Sequence, residues 1–500
     1  MAKYATIPPS IVRKAIRRSA PSVKLPCMID NAYESTTNAG PANPDMPAGE
    51  FRQYGKTLID WIADYLDDPR KYPVLPSGQP GDVQHRLPPT APIEGEPMEK
   101  ILRDFDQIIM PMVTHWNHPR FFAYFSISSS APAILGELLT AALDVNAMLW
   151  KSCPAATELE QTTVRWVLDW LGLPSAWFGM IVDSASTAVL QAMVAARQRA
   201  EPESRAVGPA GRLVAYVSEH THSSVEKAAI AAGIGRCNIR HVAADARFRM
   251  RTDVLAEAIR SDFARHLRPF FVAATVGTTS STAIDPVADI AALCRENGLW
   301  LHVDGAYGGT FGVLPECRHF LEGVERADSF VVNPHKLMMV PLDCSLFYTR
   351  DPETTRAAFA LEVDYLKTEV HGAVDYMDYG LALGRRFRAL KLWFVMRYFG
   401  REGLVAVLRR SLEMAAWLGQ RISASARFEL VAPVNMGLVC FQLRQGDDAT
   451  RDLMRRINDT DAFFVSHTVL NGRFTIRVAV GNMRTQWQDV EELWAAIARL

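Results

Sequence analysis

Two residues could carry chemistry in this chain. Lys336 closes Asn333-Pro334-His335-Lys336, just past the apolar run Ser329-Phe330-Val331-Val332. Asp304 follows the apolar run Leu299-Trp300-Leu301-His302-Val303 and precedes Gly305-Ala306. Polar residues at the carboxyl ends of buried strands point into the crevice where α/β folds place their ligands. An amine that can form an imine, with a carboxylate that can hold a ring nitrogen protonated, is the minimum equipment for pyridoxal phosphate (PLP) chemistry. The apolar context Leu337-Met338-Met339-Val340 favours a neutral, nucleophilic Lys336. Ala306 is small enough to leave room for a flat ring.

Other strand-end segments supply the remaining parts. Ser184-Ala185-Ser186-Thr187 lies between the apolar Met180-Ile181-Val182 and a helical pattern, so its hydroxyls can cap a helix and its N–H groups can hold a phosphate. His222 follows the run Leu213–Val217 and precedes a helix, where an imidazole could stack on a ring. Glu219 and His220 stand beside it, but no second ligand cluster accompanies them and no metal is expected. Thr275 to Ser280, including Thr279, form a further loop of donors before Asp285; either could touch a cofactor or only make a turn.

These loops need a scaffold. Apolar runs at Leu213–Val217, Ile239–Val242, Phe270–Val276, Trp300–Val303, Ser329–Val332 and Cys344–Tyr348 alternate with helical patterns at Ala188–Arg199, Val225–Ala231, Thr252–Ala264 and Pro286–Arg295. Near-continuous apolar strands alternating with helices imply an α/β domain with a mostly parallel sheet. Upstream, helical spacing from Glu50 and from Met98 to Met112 suggests a helical segment. Beyond about residue 390, helices at Lys391–Tyr398 and Leu404–Ala424 precede strands at Phe428–Val431, Val439–Leu443 and Phe474–Val480, a smaller α+β unit. The expected division is a basic, disordered extension at 1–46, a helical dimerisation segment at 47–130, a large cofactor domain at 131–390 and a small domain at 391–500.

Bulk composition agrees with an ordinary globular protein: 500 residues, 49% hydrophobic, 22% charged. A formal net charge of −1 gives no field for nucleic acid or an anionic membrane. No apolar run approaches the roughly 18 to 20 residues of a membrane span. The seven cysteines are scattered, without a CxxC pair, which suits free thiols in a reducing, cytoplasmic setting. Residues 1–29 lack Asp and Glu but carry Lys3, Arg13, Lys14, Arg17, Arg18 and Lys24, so an organellar transit peptide is the alternative to a plain basic extension.

Taken in order, GEFRQYGKTLIDWIADY, HPRFFAYF, CPAATELE, SAS, HSSVEKA, GTTSS, HVDGAYGG, NPHK, LDCS and LGRRFRALKLWF resemble the PLP-dependent aromatic L-amino acid decarboxylases, fold-type I enzymes of group II. The resemblance covers about residues 47–500. It implies a seven-stranded, mostly parallel sheet in the large domain and a homodimer with shared active sites. It implies that Lys336 holds PLP covalently, Asp304 pairs with the ring nitrogen, and His222 and Ala306 lie on opposite ring faces. Ser184, Ala185, Ser186 and Asn333 would bind the phosphate, with His335 and Thr279 close by. Trp116, Tyr124, Phe125, Met148 and Leu149 match substrate-pocket positions, some reaching across the dimer.

The reaction implied is decarboxylation of an aromatic L-amino acid to its amine. Tyr365, in Glu362 to Thr368, matches the tyrosine that protonates Cα after carbon dioxide leaves; relatives with Phe there are oxygen-consuming aldehyde synthases, because phenylalanine has no proton to give. An aldehyde synthase and a non-catalytic binding protein with a decayed site are the rival expectations. Gly384 matches a position where Gly accompanies indolic and Ser phenolic substrates in some plant relatives, which points to tryptophan or a broad range. Some positions depart from the family: Asp183 and Thr187 flank the phosphate loop, Leu337 follows the lysine, Ser126-Ile127 follow Phe125, and Met148 replaces a common Phe. A carboxylate at Asp183 would repel phosphate unless it turns away or pairs with a cation.

Overall fold

The computed structural model describes residues 45–361 and 372–500. The expected extension at 1–46 therefore lies almost wholly outside the described residues. Among the described residues, twelve strands form two sheets: β1 (Phe121–Phe122), β2 (Phe178–Val182), β3 (Leu213–Ser218), β4 (Ile239–Val242), β5 (Arg268–Thr275), β6 (Trp300–Asp304), β7 (Ser329–Val332), β8 (Ser345–Thr349), β9 (Phe428–Leu430), β10 (Leu438–Leu443), β11 (Phe464–Leu470) and β12 (Arg473–Ala479).

The large sheet has seven strands in the order β2-β8-β7-β6-β5-β3-β4. From β7 to β4 every pairing is parallel, and only β8 runs against its neighbours. This is the mostly parallel α/β architecture expected. Its strands are buried on both faces, and the alternation shows why. In β3, Leu213, Ala215 and Val217 face one apolar cluster with the helix Ala185–Ala200, while Val214 and Tyr216 face the other. Such double coverage demands apolar residues at consecutive positions. Each fully buried Val, Leu or Phe contributes about 1.5–3 kcal/mol over an exposed one.

The second sheet, β1-β11-β12-β10-β9, packs on the helix Ala389–Ala424. That helix joins the two expected near Lys391–Tyr398 and Leu404–Ala424, with the break at Gly400, whose φ of 63° and ψ of −178° are non-helical. The strand β11 and the helix Asp447–Asn458 were not expected from sequence.

The chain divides into two compact units, residues up to 65 with 77–112, and 66–76 with 113–500. The span 47–130, read from sequence as one helical segment, is thus shared between them, and Phe121–Phe122 is a strand paired in parallel with β11. The first unit is helical: Trp61 meets Phe105 edge-on at 5.5 Å, and the Tyr54 hydroxyl donates to Glu99. Among the described residues, no helix is long and apolar enough to cross a membrane.

Candidate active site

The carboxyl ends of the parallel strands converge on a cavity of about 210 Å³. A water occupies about 30 Å³ of liquid, so the space equals roughly seven waters. Phe125, Ser184, Ala185, Ser186, His222, Thr279, Asp304, Ala306, Asn333 and Lys336, all singled out in the sequence, line it.

Two glycines let the loops meet here. Gly277 has φ +88°, and a Cβ on it would lie 3.0 Å from the Gly308 backbone. A Cβ on Gly308 would lie 2.3 Å from the Val276 carbonyl oxygen, which accepts the Gly308 N–H at 3.2 Å. The loop after β5 is therefore pressed on the loop after β6, which fixes Thr279 relative to Asp304.

Asp304 is the buried last residue of β6, and its Oδ1 accepts the Ala306 N–H at 3.0 Å. Lys336 sits on the single turn Pro334–Leu337 that follows β7, with its Nζ 5.4 Å from the centre of the Phe125 ring. Burial lowers the pKa of the lysine; Asp304 opposes that shift and Arg477 adds to it. His222 stands at the mouth, its outer side exposed. Its Nδ1 accepts the Ser224 N–H at 3.2 Å, so the proton of the neutral ring is on Nε2. Desolvation of the inner part of the ring lowers its pKa and favours that neutral form, against the pull of Asp304.

Ser184 caps the helix Ala185–Ala200, accepting the Thr187 N–H on Oγ at 3.3 Å. The N–H groups of Ala185 and Ser186 in the first turn have no partner within the helix, and the positive end of the helix dipole adds to them. Across the cavity, His335 Nδ1 accepts the Cys344 N–H at 3.1 Å, and burial pushes its pKa down to about 4. The neutral ring then carries its proton on Nε2, 3.3 Å from the Asn333 amide. Two donors cannot share that contact, so the amide is assigned with its oxygen toward Nε2, which leaves its NH₂ at the buried, unpartnered amide position, free for an acceptor. His335 thus acts behind the wall rather than on it.

This set fits a phosphorylated pyridine aldehyde. A helix N-terminus with a donor amide can hold the phosphate, a buried carboxylate the ring nitrogen, and an amine of lowered pKa the aldehyde carbon. A buried Thr275 Oγ1 without a protein partner also lines the space. Asp183 does turn away: it is exposed, absent from the lining, and within electrostatic range of Arg388. Thr187 packs its hydroxyl on the Ser184 cap at 3.2 Å. Asp285 makes a turn, accepting the Met250 and Thr275 N–H groups, with burial pushing its pKa up to about 6.

Other expected residues are elsewhere. Trp116 and Tyr124 stack on each other at 5.7 Å, outside the cavity. Met148 and Leu149 belong to a loop tied to the segment 375–385: Met377 N–H donates to the Met148 carbonyl, and Trp150 N–H to Asp375. Gly384 is beside Asn146 of that loop, with open space where a side chain would go. None of these three lines the cavity. Tyr365 lies outside the described residues.

Sequence reading missed Tyr307 and Ser224, which line the cavity, and Arg477, which supports it. Tyr307 stacks on Phe125 at 3.6 Å, and lies within HVDGAYGG, where its ring could have been noticed. Arg477, on β12, donates to the Thr279 carbonyl at 2.6 Å and to Ser466 Oγ at 3.1 Å, and lies 5.2 Å from the Phe125 ring. A more open depression of about 510 Å³ touches the outer side of His222 and Thr279 and reaches the β11–β12 turn at Asn471-Gly472.

Comparison with known proteins agrees with this geometry. Residues 80–444 match the pyridoxal-dependent decarboxylase conserved domain. The phenylacetaldehyde synthase of Arabidopsis thaliana is 39% identical over 90% of this chain and 96% of its own. The aromatic-L-amino-acid decarboxylase of Sus scrofa is also 39% identical, over 90% of this chain and 98% of its own. The crystal structure of Oryza sativa TDC with PLP and tryptamine superposes with a TM-score of 0.88 at 37% identity, covering 92% of this chain and 98% of that one. With cavity, sheet and relatives in agreement, the chain belongs to the pyridoxal-dependent decarboxylase family, the PLP-dependent carboxy-lyases that include the aromatic-L-amino-acid decarboxylases.

Proposed function

We propose that this carboxy-lyase converts an aromatic L-amino acid, tryptophan or a broad set including tyrosine, phenylalanine, Dopa and 5-hydroxytryptophan, to the arylalkylamine and carbon dioxide. The observation that carries the reading is the meeting of Lys336, Asp304 and a neutral His222 in one small cavity with the stacked rings of Phe125 and Tyr307 in its wall. Apart from Lys336, the described lining holds no Lys or Arg to fix a side-chain carboxylate, which favours an aromatic substrate over glutamate.

PLP, when bound, supplies the electron sink that takes up the pair left by the departing carboxylate. The protein's residues do the rest. Burial disfavours the charge of Lys336 and so makes its amine easier to deprotonate for attack on the aldehyde carbon. Asp304 would hold a proton on the pyridine nitrogen. Ser184, Ala185, Ser186 and Asn333 would hold the phosphate. His222, with its proton on Nε2, would lie against the ring. Tyr365, by the family resemblance, delivers the proton to Cα. Holding the breaking bond in a fixed orientation within a dry cavity is the main contribution of such a site.

The active form is proposed to be a homodimer. The helix Ala131–Leu143 exposes Leu135, Leu138, Leu139 and Leu143 along one face, the i, i+3, i+4 spacing of a helix that buries that face. Met148 and Gly384, apart from the cavity of their own chain, are then available to a partner's site, whereas Leu149 is buried in its own chain and would act there only through its neighbours. A second reading, aldehyde synthesis with oxygen consumption, draws on the Arabidopsis thaliana relative, which is as similar as the Sus scrofa decarboxylase. Incubating the PLP-loaded enzyme with Trp, Tyr, Phe, Dopa, 5-hydroxytryptophan, His and Glu, with mass detection of products and a peroxide assay, separates these readings. Amine without peroxide is expected; aldehyde with equimolar peroxide would replace the first reading by the second.

A further inference from the structure

At the opposite end of the large sheet lies a larger cavity, about 640 Å³, formed where β5, β6 and β7 begin. Among the described residues, five arginines line it, Arg199, Arg268, Arg295, Arg326 and Arg350, with Asp328 as the one carboxylate. The whole chain is balanced, at 54 basic against 55 acidic residues, so this is a local concentration of charge. Asp328 is already engaged: it pairs with Arg199 at 2.8 Å and Arg350 at 3.7 Å, and accepts the Leu301 N–H at 2.8 Å. Arg326 pairs only with its exposed neighbour Glu325. Among the described residues, neither Arg268 nor Arg295 is in an ion pair.

Helix ends offer a rival account of the cluster. The helices Ala185–Ala200, Thr252–Ala264 and Val287–Asn297 all end here, and each helix C-terminus carries the equivalent of about half a negative charge. Together with Asp328 and the Glu325 partner of Arg326 they leave a surplus of roughly one to two positive charges. The five arginines are exposed around the opening, over an apolar floor that includes Ala196, Phe270 and Leu301, with Phe263 44% exposed at the rim. Guanidinium groups match phosphate oxygens two at a time. The volume falls in the range of small-molecule sites, about 300–1,000 Å³.

We propose that this cavity is a second ligand site, for a small polyphosphate, free or carried by an organic group that packs on the apolar floor. Strand rise places it roughly 15–20 Å from the catalytic cavity. The test is calorimetric titration of the PLP-loaded enzyme, whose own phosphate cradle is filled, with ATP and with inorganic tripolyphosphate. Wild type, Arg268→Gln/Arg295→Gln, and Arg251→Gln/Arg260→Gln are compared. The last pair removes the same charge from exposed ion pairs outside the cavity. Binding by wild type, weakened at least about tenfold in the cavity variant and unchanged in the control, with unchanged turnover in both, is expected. Tighter ATP identifies an organic carrier; equal affinities identify the free polyphosphate. No binding of either probe at roughly millimolar concentration, equal weakening by both variants, or full affinity in the cavity variant overturns the proposal.

Discussion

The two ends of the large sheet place anion-seeking groups by opposite means. At the carboxyl ends of the strands, the helix Ala185–Ala200 begins, and its dipole and free N–H groups favour an anion without any lysine or arginine in the cradle. At the amino ends, the same helix and two others finish, and their dipoles repel an anion. Cationic side chains must overcome that, and five arginines gather there. A parallel sheet with covering helices thus gives one end a phosphate site almost for free and makes the other depend on charge. The first kind is sensitive to backbone geometry and the second to salt and side-chain charge.

Substitutions should separate the two ends, the largest effects falling at the catalytic one. Lys336→Ala is expected to abolish turnover and the visible absorbance of lysine-bound cofactor, with polyphosphate titration at the other end unaltered. Retention of that absorbance in purified Lys336→Ala would remove Lys336 from its role. Asp304→Asn replaces the buried carboxylate by a near-isosteric amide. It should lower kcat by about 10² to 10³, the usual cost of one preorganised electrostatic partner. A steady-state rate within a few-fold of wild type would assign the ring nitrogen to another group.

The catalytic end was the more legible in the sequence, for a physical reason. Lys336 and Asp304 each follow a run of apolar residues, and doubly buried parallel strands favour their ends for polar residues, an interior one such as His302 needing a buried partner, here Ser329 Oγ at 2.9 Å. The same logic drew out Ser184, His222 and Thr279. It failed where position depends on register or on distant chain. Arg477 sits in β12 between Ile476 and Val478, and nothing in that alternation shows that its guanidinium is buried against Phe125. The strand β11 carries His467 and Thr468 among its apolar residues, and reads as a strand only beside β12. Met148, Leu149 and Gly384 came from resemblance alone, and the single chain leaves them outside the cavity. The arginine cavity was invisible because its five arginines come from five segments well separated in sequence.

Acid should also act on the two ends unequally. Burial pushes His302 and His335 down to about 4, whereas an exposed imidazole titrates near 6.5. His302 lies within β6 near its catalytic end and His335 on the turn just past that end of β7, and among the described residues no histidine lines the arginine cavity. A group whose folded pKa is depressed binds fewer protons when folded, so stability is complete above about 6.5 and falls as pH drops toward 4. Each imidazole is worth on the order of 3 kcal/mol across that window. Thermal unfolding followed from pH 7 to 4.5 should show a falling midpoint, partly relieved in His335→Gln. A midpoint that is flat over this range would mean that these rings are charged in the folded protein.

The smallest expected effect is the most diagnostic of the helix-end argument. Ser184→Ala removes the oxygen that accepts the Thr187 N–H, and with it one donor to the bound phosphate. Loss of such a cap costs about 1 kcal/mol, or roughly fivefold in PLP affinity if the helix end is what holds the phosphate. Ser184→Asp keeps the cap but sets a carboxylate against the phosphate, so it should bind PLP more weakly than Ser184→Ala even though its helix is the better capped. Titration of the apoenzyme with PLP measures both. If the aspartate variant bound as tightly as wild type, the phosphate would be held elsewhere, and the contrast between the two ends of the sheet would have to be drawn from the arginines alone.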